Sequence, residues 1–297
     1  MLVSEVIERC YNEYLYPAGV DRPPFDVLTA DLSSSPADLS LTLEGRIQNI
    51  PRDVILEIGS ELLLGKTVGN PYTVALRGYL ETDVAEHVIG DLVYVDPQYP
   101  RKQITNALNG ILRGLYPRIY ARAVDTAQTF SRSGVKTLPT GGKDVLRITI
   151  TDSGADETYT RLKQAGRDWE TYREFDPAKY QLLRGGGEGN ALRVIYTKDF
   201  TSSTLETDDL ETVCGVPPSL QEHLPMGITG RLLMGKELSR IHIEEIRRLL
   251  AAEGVQPGAS VNVSQVLTNT FNTIHVGAEQ RRLRDLDPMT FEWIRST

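Results

Sequence analysis

The stretch YPRKQITNALNGILRGLYPRIY, Tyr99–Tyr120, decides how the chain is organised. Its apolar residues recur with the period of an α-helix that has one buried side. They are Ile104, Leu108, Ile111, Leu112, Leu115 and Ile119. Pro100 suits the first turn of such a helix, and Pro117 ends or kinks it. Gly110 and Gly114 would let a neighbouring backbone approach closely. The pattern predicts a core helix that packs two flanking β-rich segments together and carries no chemistry.

The chain before this helix divides into two predicted units. Residues 1–20 form a short amphipathic helix that packs on the core, and Pro17 with Gly19 end it. Residues 21–98 begin with a Pro, Asp and Ser-rich loop and continue as several short strands separated by turn residues. Two of these strands form a predicted hairpin around Gly59-Ser60. Strands at this spacing are typical of a small barrel or sandwich, so we expect a small β-barrel-like module.

Two further units follow residues 99–121, which hold the central helix. Residues 122–204 contain alternating segments such as DWETYREF and ALRVIYT, which predict a β-sandwich-like domain. Residues 205–297 return to helical spacing, with a last helix over residues 260–287. The expected fold class is therefore α+β: a helical core made of the central and C-terminal helices, a small N-terminal β-module and a β-sandwich-like insertion.

Composition excludes several classes of protein. The 297 residues are long enough to bury a sizeable core, and a formal charge of −8 argues against tight binding of nucleic acid. Cys10 and Cys214 lie far apart with no CxxC motif, so we expect isolated thiols in a reducing compartment. No apolar window could span a membrane, and Glu5 and Glu8 interrupt any export signal, so we expect neither membrane contact nor export.

No motif predicts catalysis, a metal or a cofactor. LLLGKT at residues 62–67 resembles part of a phosphate-binding loop, but Ser60 stands where that loop needs glycine and a turn follows instead of a helix. The four histidines are scattered singly: His87, His223, His242 and His275. The acidic pairs at 208–209 and 244–245 are adjacent on predicted helices, where neighbours point in different directions. We expect no enzyme activity and no cofactor.

The last helix has an unusual composition. From Gly254 to Ala278 there is no Asp, Glu, Lys or Arg, although Ser, Thr, Asn and Gln are frequent. Solvated helix faces normally carry charges. The segment therefore lies against another subunit or lines a passage, or else it is buried on both sides within its own fold.

Residues 56–95 resemble a small β-module that is common in virion proteins of tailed bacteriophages. The residues that carry the resemblance are Glu61, Arg77-Gly78, Thr82, His87 and Gly90-Asp91. The family pattern begins with an acidic residue before a strand, then a turn, and then a strand that ends in Arg-Gly. A Thr follows a few residues later, and a His and a Gly-Asp pair come before the closing strand. Glu81 stands where the family has a second glycine before the threonine.

The central helix and the tail GAEQRRLRDLDP resemble the helical core of phage neck and head–tail connector proteins, through Glu279, Arg282 and Leu283 in the tail. The resemblance implies a structural virion protein in the neck, the adaptor ring between portal and tail, made in the host cytoplasm. Implied partners are copies of itself in a closed ring of about twelve, the portal protein and a stopper or tail-completion protein. DNA would pass through the lumen without sequence-specific binding.

Two other functions stay open on the sequence. One is a tail or baseplate protein whose 122–204 domain binds host carbohydrate or another tail protein. The other is a carbohydrate-active enzyme with an accessory β-module. For the connector, a ring needs two different contact patches, and the glycine-marked central helix and the uncharged last helix are the candidates. The predicted interface residues are Gly110, Gly114, Val263, Asn269, Asn272, Glu279, Arg281, Arg282 and Arg284.

Overall fold

The computed structural model describes residues 1–16, 22–47, 50–66, 71–131, 134–151, 159–161, 169–183, 189–234 and 259–286. Helices and antiparallel sheets are both present, so the α+β class predicted from the sequence is confirmed. Every strand pair in the named sheets of these residues is antiparallel.

The helices lie at both ends and in the middle of the chain. They are α1 (Val3–Arg9), continued by a π-helical turn (Cys10–Leu15); α2 (Arg101–Leu115); α3 (Pro218–Gln221); α4 (residues 224–234); and α5 (Ala259–Thr270), which passes through a π-helical turn (Phe271–Val276) into α6 (Gly277–Leu286). The helical pattern that the sequence continues from residue 235 to 254 lies outside the described residues.

Helix α2 is the predicted central helix. It starts after Pro100 and ends at Leu115, two residues before Pro117, as the two prolines predict. The predicted apolar stripe is buried, except that Ile111 is only partly covered. The stripe packs against α1, against residues 210–228 and against the buried side of the last helix in one apolar cluster. Burial of this stripe ties the two ends of the chain to its middle.

The β-module is one six-stranded sheet with the order β1-β6-β3-β4-β5-β2. Its strands are β1 (Phe25–Val27), β2 (Ser40–Leu41), β3 (Ile55–Ile58), β4 (Glu61–Gly65), β5 (Tyr72–Leu76) and β6 (Leu92–Val95). Gly59 has a φ of +55° and turns β3 into β4, at the predicted hairpin. A bridge from Leu28 to Leu43 joins the ends of the two edge strands, so the sheet curls around its own core.

The second β unit contains two sheets that share one apolar core. Its strands are β7 (Ala121–Asp125), β8 (Val135–Thr137), β9 (Gly142–Thr151), β10 (Tyr159–Arg161), β11 (Trp169–Tyr172), β12 (Lys179–Leu182) and β13 (Leu192–Lys198). The sheet orders are β10-β9-β13-β7 and β11-β12-β8. Ile148 and Val194 of the first sheet join Tyr180 and Leu182 of the second in that core.

One local prediction is wrong. Asp208 and Asp209 do not begin a helix; residues 205–214 form turns. The Asp208 carboxylate accepts hydrogen bonds from the backbone N–H groups of Thr204 and Leu205, and Asp209 accepts those of residues 211 and 212. Aspartate side chains that bond nearby backbone in this way stabilise turns in place of a helix.

Candidate functional site

The last helix packs antiparallel on α3 and α4 in a regular register. The Ser219 hydroxyl donates a hydrogen bond to Glu279 Oε2 at 2.6 Å. One turn further along, the rings of His223 and His275 stack with their centroids 3.5 Å apart. Because both partners advance by four residues in opposite directions, the contacts form successive turns of one helix–helix interface.

Two glycines allow the helices to approach closely. A Cβ at Gly227 would lie 2.9 Å from the Phe271 ring, and one at Gly230 would lie 2.6 Å from Thr268 Oγ1. The Ser264 hydroxyl donates to the Gly230 carbonyl at 2.6 Å, which small residues at both positions permit. Sequence reasoning missed this contact surface, although Gly227 and Gly230, three residues apart and so on one side of an apolar helix, were its signal.

The opposite side of α5 and of the π-helical turn is exposed and uncharged. Val263, Val266 and Ile274 are 51–63% exposed. Exposed polar residues without charge lie beside them: Asn262, Gln265, Asn269 and Thr273. We call this surface the outward face. Over residues 262–278 the uncharged segment is therefore buried by its own chain on one side and exposed on the other, so it is not buried on both sides.

The predicted interface residues fall into different environments. Val263 and Asn269 lie on the outward face. Gly114 and Asn272 line a cleft of about 510 Å³ between α2, α4 and the last helix. Gly110 lies under the guanidinium of Arg231, where a Cβ would come within 2.6 Å of that group. The structure thus brings Gly114 and Asn272 together, whereas Gly110 is covered by its own chain.

The charged end of the last helix requires a correction. Glu279 is only 3% exposed and accepts hydrogen bonds from Ser219 and from Arg282 Nη1, the latter at 2.8 Å. Its carboxylate therefore holds α6 to α3, and does not flank a contact with a neighbour as the sequence suggested. Arg281, Arg282 and Arg284 are exposed and make this end of the helix basic.

In the β-module, three residues of the phage-like pattern, Arg77, Gly78 and His87, meet at the carboxylate of Glu61. Arg77 donates to it through Nε at 2.9 Å and Nη2 at 2.7 Å, and His87 Nε2 lies 2.9 Å from Oε2. The backbone N–H groups of Gly78 and Ala85 also donate, each at 3.1 Å. The side chains of Glu61 and Arg77 are fully buried. Burial would raise the Glu61 pKa, but its hydrogen bonds with His87, Arg77 and Ala85 outweigh burial and lower the pKa to about 2.

This network fixes the loop between β5 and β6. Arg77 also donates to the carbonyls of Ser33 and Ser35, which ties a second loop to the first. Gly78 has a φ of +64°, and a Cβ there would lie 2.8 Å from the carbonyl oxygen of Thr82, so only glycine fits. The Thr82 hydroxyl accepts from the N–H of Leu62 at 3.0 Å.

Comparisons with family models, with curated proteins and with solved structures found no match to the chain. Function must therefore be argued from the geometry of these two regions.

Three observations bear on chemistry. Among the described residues, no group of three or more His, Cys, Asp or Glu side chains is placed to hold a metal ion, and no helix is long and apolar enough to cross a membrane. The fragment LLLG lies on strand β4, and Thr67 lies outside the described residues. Burial raises the pKa of Cys10 to about 12 and that of Cys214 to about 11, so neither thiol is reactive at neutral pH.

The β-module and the helices are joined through a second buried carboxylate. Glu57 on β3 accepts a hydrogen bond from the backbone N–H of Arg101 at 2.6 Å, at the start of α2. Burial raises the pKa of Glu57 to about 7, and the hydrogen bond and positive charge of Arg101 oppose this rise only in part. The Arg101 guanidinium pairs with Glu8 at 2.7 Å and with Glu206 at 2.8 Å, which connects α1, α2 and the turn before α3.

Proposed function

We propose that the chain is a structural virion protein of a tailed phage, and that it forms the head-to-tail adaptor ring below the portal. The observation that carries this proposal is the network around Glu61. The order of Arg77, Gly78, Thr82 and His87 along the chain resembles the phage β-module, and these residues lie around one carboxylate or on the loop that it fixes. Their shared structural role supports the proposal.

The arrangement of the chain also suits assembly. In the finer fold that we propose, the helical core is the centre of the subunit, and the β-module and a sandwich-like pair of sheets project from it. The outward face offers apolar and uncharged polar side chains, which favour burial against a protein neighbour. The proposed partners are other copies of the chain, the portal protein and a stopper or tail-completion protein.

Charge supports a passage for DNA without tight binding. The chain has a formal net charge of −8, so a ring of such subunits carries a large negative charge. Phosphate groups are repelled by such a field, and release of counterions, which drives tight binding, does not occur. DNA would therefore slide through the lumen.

A genetic experiment separates this function from a role in the tail or baseplate. Phage in which the gene is interrupted should produce heads that have packaged DNA but carry no tails, because the joining ring is missing. Purified chain added to such heads together with free tails should restore infectious particles. Complete tailed particles that fail to adsorb to the host would instead indicate a tail or baseplate protein.

A further inference from the structure

Exposed apolar side chains are concentrated in two short segments. Of the 18 large apolar side chains that are exposed in the described residues, nine lie in residues 76–92 or on the last helix. We call residues 76–92 the acidic loop segment. Its five exposed apolar residues are Leu76, Leu80, Val88, Ile89 and Leu92, which are 42–63% exposed. Residues of this kind on one connection indicate a surface that is covered in the working state.

The acidic loop segment is negative at its surface. Glu81, Asp83 and Glu86 are exposed, and the only Lys or Arg in the segment, Arg77, is buried against Glu61. The Glu61 network also holds the segment in one conformation before any partner arrives. A preorganised surface loses little conformational entropy when it binds.

The last helix has the opposite charge beside its own apolar surface. The outward face carries Val263, Val266 and Ile274, and it leads directly to the exposed arginines of α6. Glu279 pairs with Arg282 at 2.8 Å, and Asp285 is exposed on the same helix. The three arginines still outnumber these two acids, so α6 keeps a net charge of +1. The two segments therefore match each other: both expose apolar side chains, and the charged residues beside them are acidic in one segment and mainly basic in the other.

We infer that the acidic loop segment of one copy docks on the outward face and the α6 arginines of the next copy of this chain. A contact between two different patches is heterologous, and rotation repeats it around a closed ring. The inference rests on the ring proposed above and names the surfaces that form it. The occupant is a second copy because the complementary patch for each segment is present on the chain itself.

Cross-linking between introduced cysteines tests this contact in the full-length protein. Ile89→Cys and Val266→Cys place reactive thiols on the two exposed surfaces, while the native thiols stay buried. A bis-maleimide with a flexible spacer should join the double variant into a ladder of multimers. Each single variant should remain monomeric, and a mixture of the two should stop at dimers. Absence of the ladder, or dimers from one single variant alone, would overturn the inference.

Charge reversal gives an independent readout of the same contact. Glu86→Arg or Arg281→Glu should each reduce the yield of the ladder about fivefold at low salt, and the two changes together should restore it. Glu174→Arg and Arg118→Glu, at exposed positions outside both segments, are the controls and should leave the yield unchanged. Failure of the double reversal to restore the yield would refute the pairing. The two proposals can also fail separately. If the cross-linked ladder forms but phage with the gene interrupted still carry tails, the contact between copies stands and the neck function is refuted.

Discussion

The buried carboxylate of Glu61 gives the sharpest prediction for the β-module. Glu61→Gln keeps the size and much of the hydrogen-bonding shape of the side chain but removes its charge. Arg77, which is fully buried, then has no negative partner. Removal of one member of a buried ion pair usually costs about 3–5 kcal/mol, because the other charge stays buried without compensation. We expect Glu61→Gln to destabilise the β-module by that amount near neutral pH.

The dependence on pH follows from the direction of the pKa shift. The ordinary pKa of Glu61 is 4.5 and the folded state lowers it to about 2. A group whose pKa is lower in the folded state stabilises the fold above its unfolded pKa. The contribution is about 3 kcal/mol, and it is lost as the pH falls from about 4.5 through about 2. In Glu61→Gln this acid-sensitive part of the stability should disappear.

Glu57→Gln is the matched control on the neighbouring strand. Glu57 is also buried, but its folded pKa is raised from 4.5 to about 7, mainly by burial. Its contribution is therefore fully present below pH 4.5 and is lost as the pH rises through about 7. The amide of glutamine can still accept the hydrogen bond from Arg101 N–H. We expect Glu57→Gln to be neutral or stabilising at pH 8, the opposite of Glu61→Gln.

Native-state amide hydrogen exchange is the suitable measurement, because a chain with several units need not unfold in one step. The reporters are the amides of β3 and β4, whose opening free energy should fall in Glu61→Gln and not in Glu57→Gln. A loss below about 1 kcal/mol in Glu61→Gln, or equal losses in both variants, would refute the argument that the Glu61–Arg77 pair holds the loop.

Three further predictions concern the helices. Leu112 is fully buried, so Leu112→Ala should lower the free energy of unfolding by about 2–5 kcal/mol in urea denaturation, and a loss below about 0.5 kcal/mol would contradict its place in the core. Gly227→Ala should lower the opening free energy of the last helix by about 1–3 kcal/mol, because the added methyl group would meet the Phe271 ring. Gly114→Ala adds its methyl group in open space and should be neutral or stabilising by up to about 1 kcal/mol. Equal effects of the two changes on hydrogen exchange of the last helix would refute the close packing. Burial, with a smaller effect of His223, lowers the pKa of His275, so protonation of His275 opposes the fold. The opening free energy of the last helix, calculated with the intrinsic exchange rate at each pH, should therefore fall as the pH drops below the ordinary histidine value, and His223→Asn should reduce that fall.

The sequence predicted those parts of the fold that have a regular period. The stripe of α2 and the hairpin at Gly59 follow from apolar spacing and from a glycine turn, and both were found where expected. The turns at Asp208 and Asp209 were missed because a side-chain hydrogen bond to nearby backbone competes with a helix start and leaves no periodic signal.

The contacts of the candidate interface were harder to predict. His223 and His275 are scattered in sequence, and only the antiparallel register of two helices brings their rings together. Glu279 follows an uncharged segment, and the sequence therefore suggested that its charge lies at the surface. It comes four residues after His275, however, so it lies on the same side of the helix as that ring and is buried. In this segment, unlike α2, the apolar spacing does not single out one face, and the partner helices decide which side is buried.

The packing of the last helix also affects how its role should be tested. Deletion of residues 255–297 would remove Phe271, Val276 and Leu283 from the apolar cluster around α2. Such a truncated chain would expose the buried side of α4 and fail for reasons unrelated to assembly. Val266→Asp changes only the outward face and is the better variant, because this side chain is already exposed.

The position of the chain in the virus particle tests the central claim most directly. Electron cryomicroscopy of tailed particles, with an antibody fragment bound to the chain, would locate each copy relative to the head and tail. The proposal predicts a single ring between the portal and the tail, with the fragment bound around the neck. Density at the tail tip, along the tail or nowhere in the particle would contradict it.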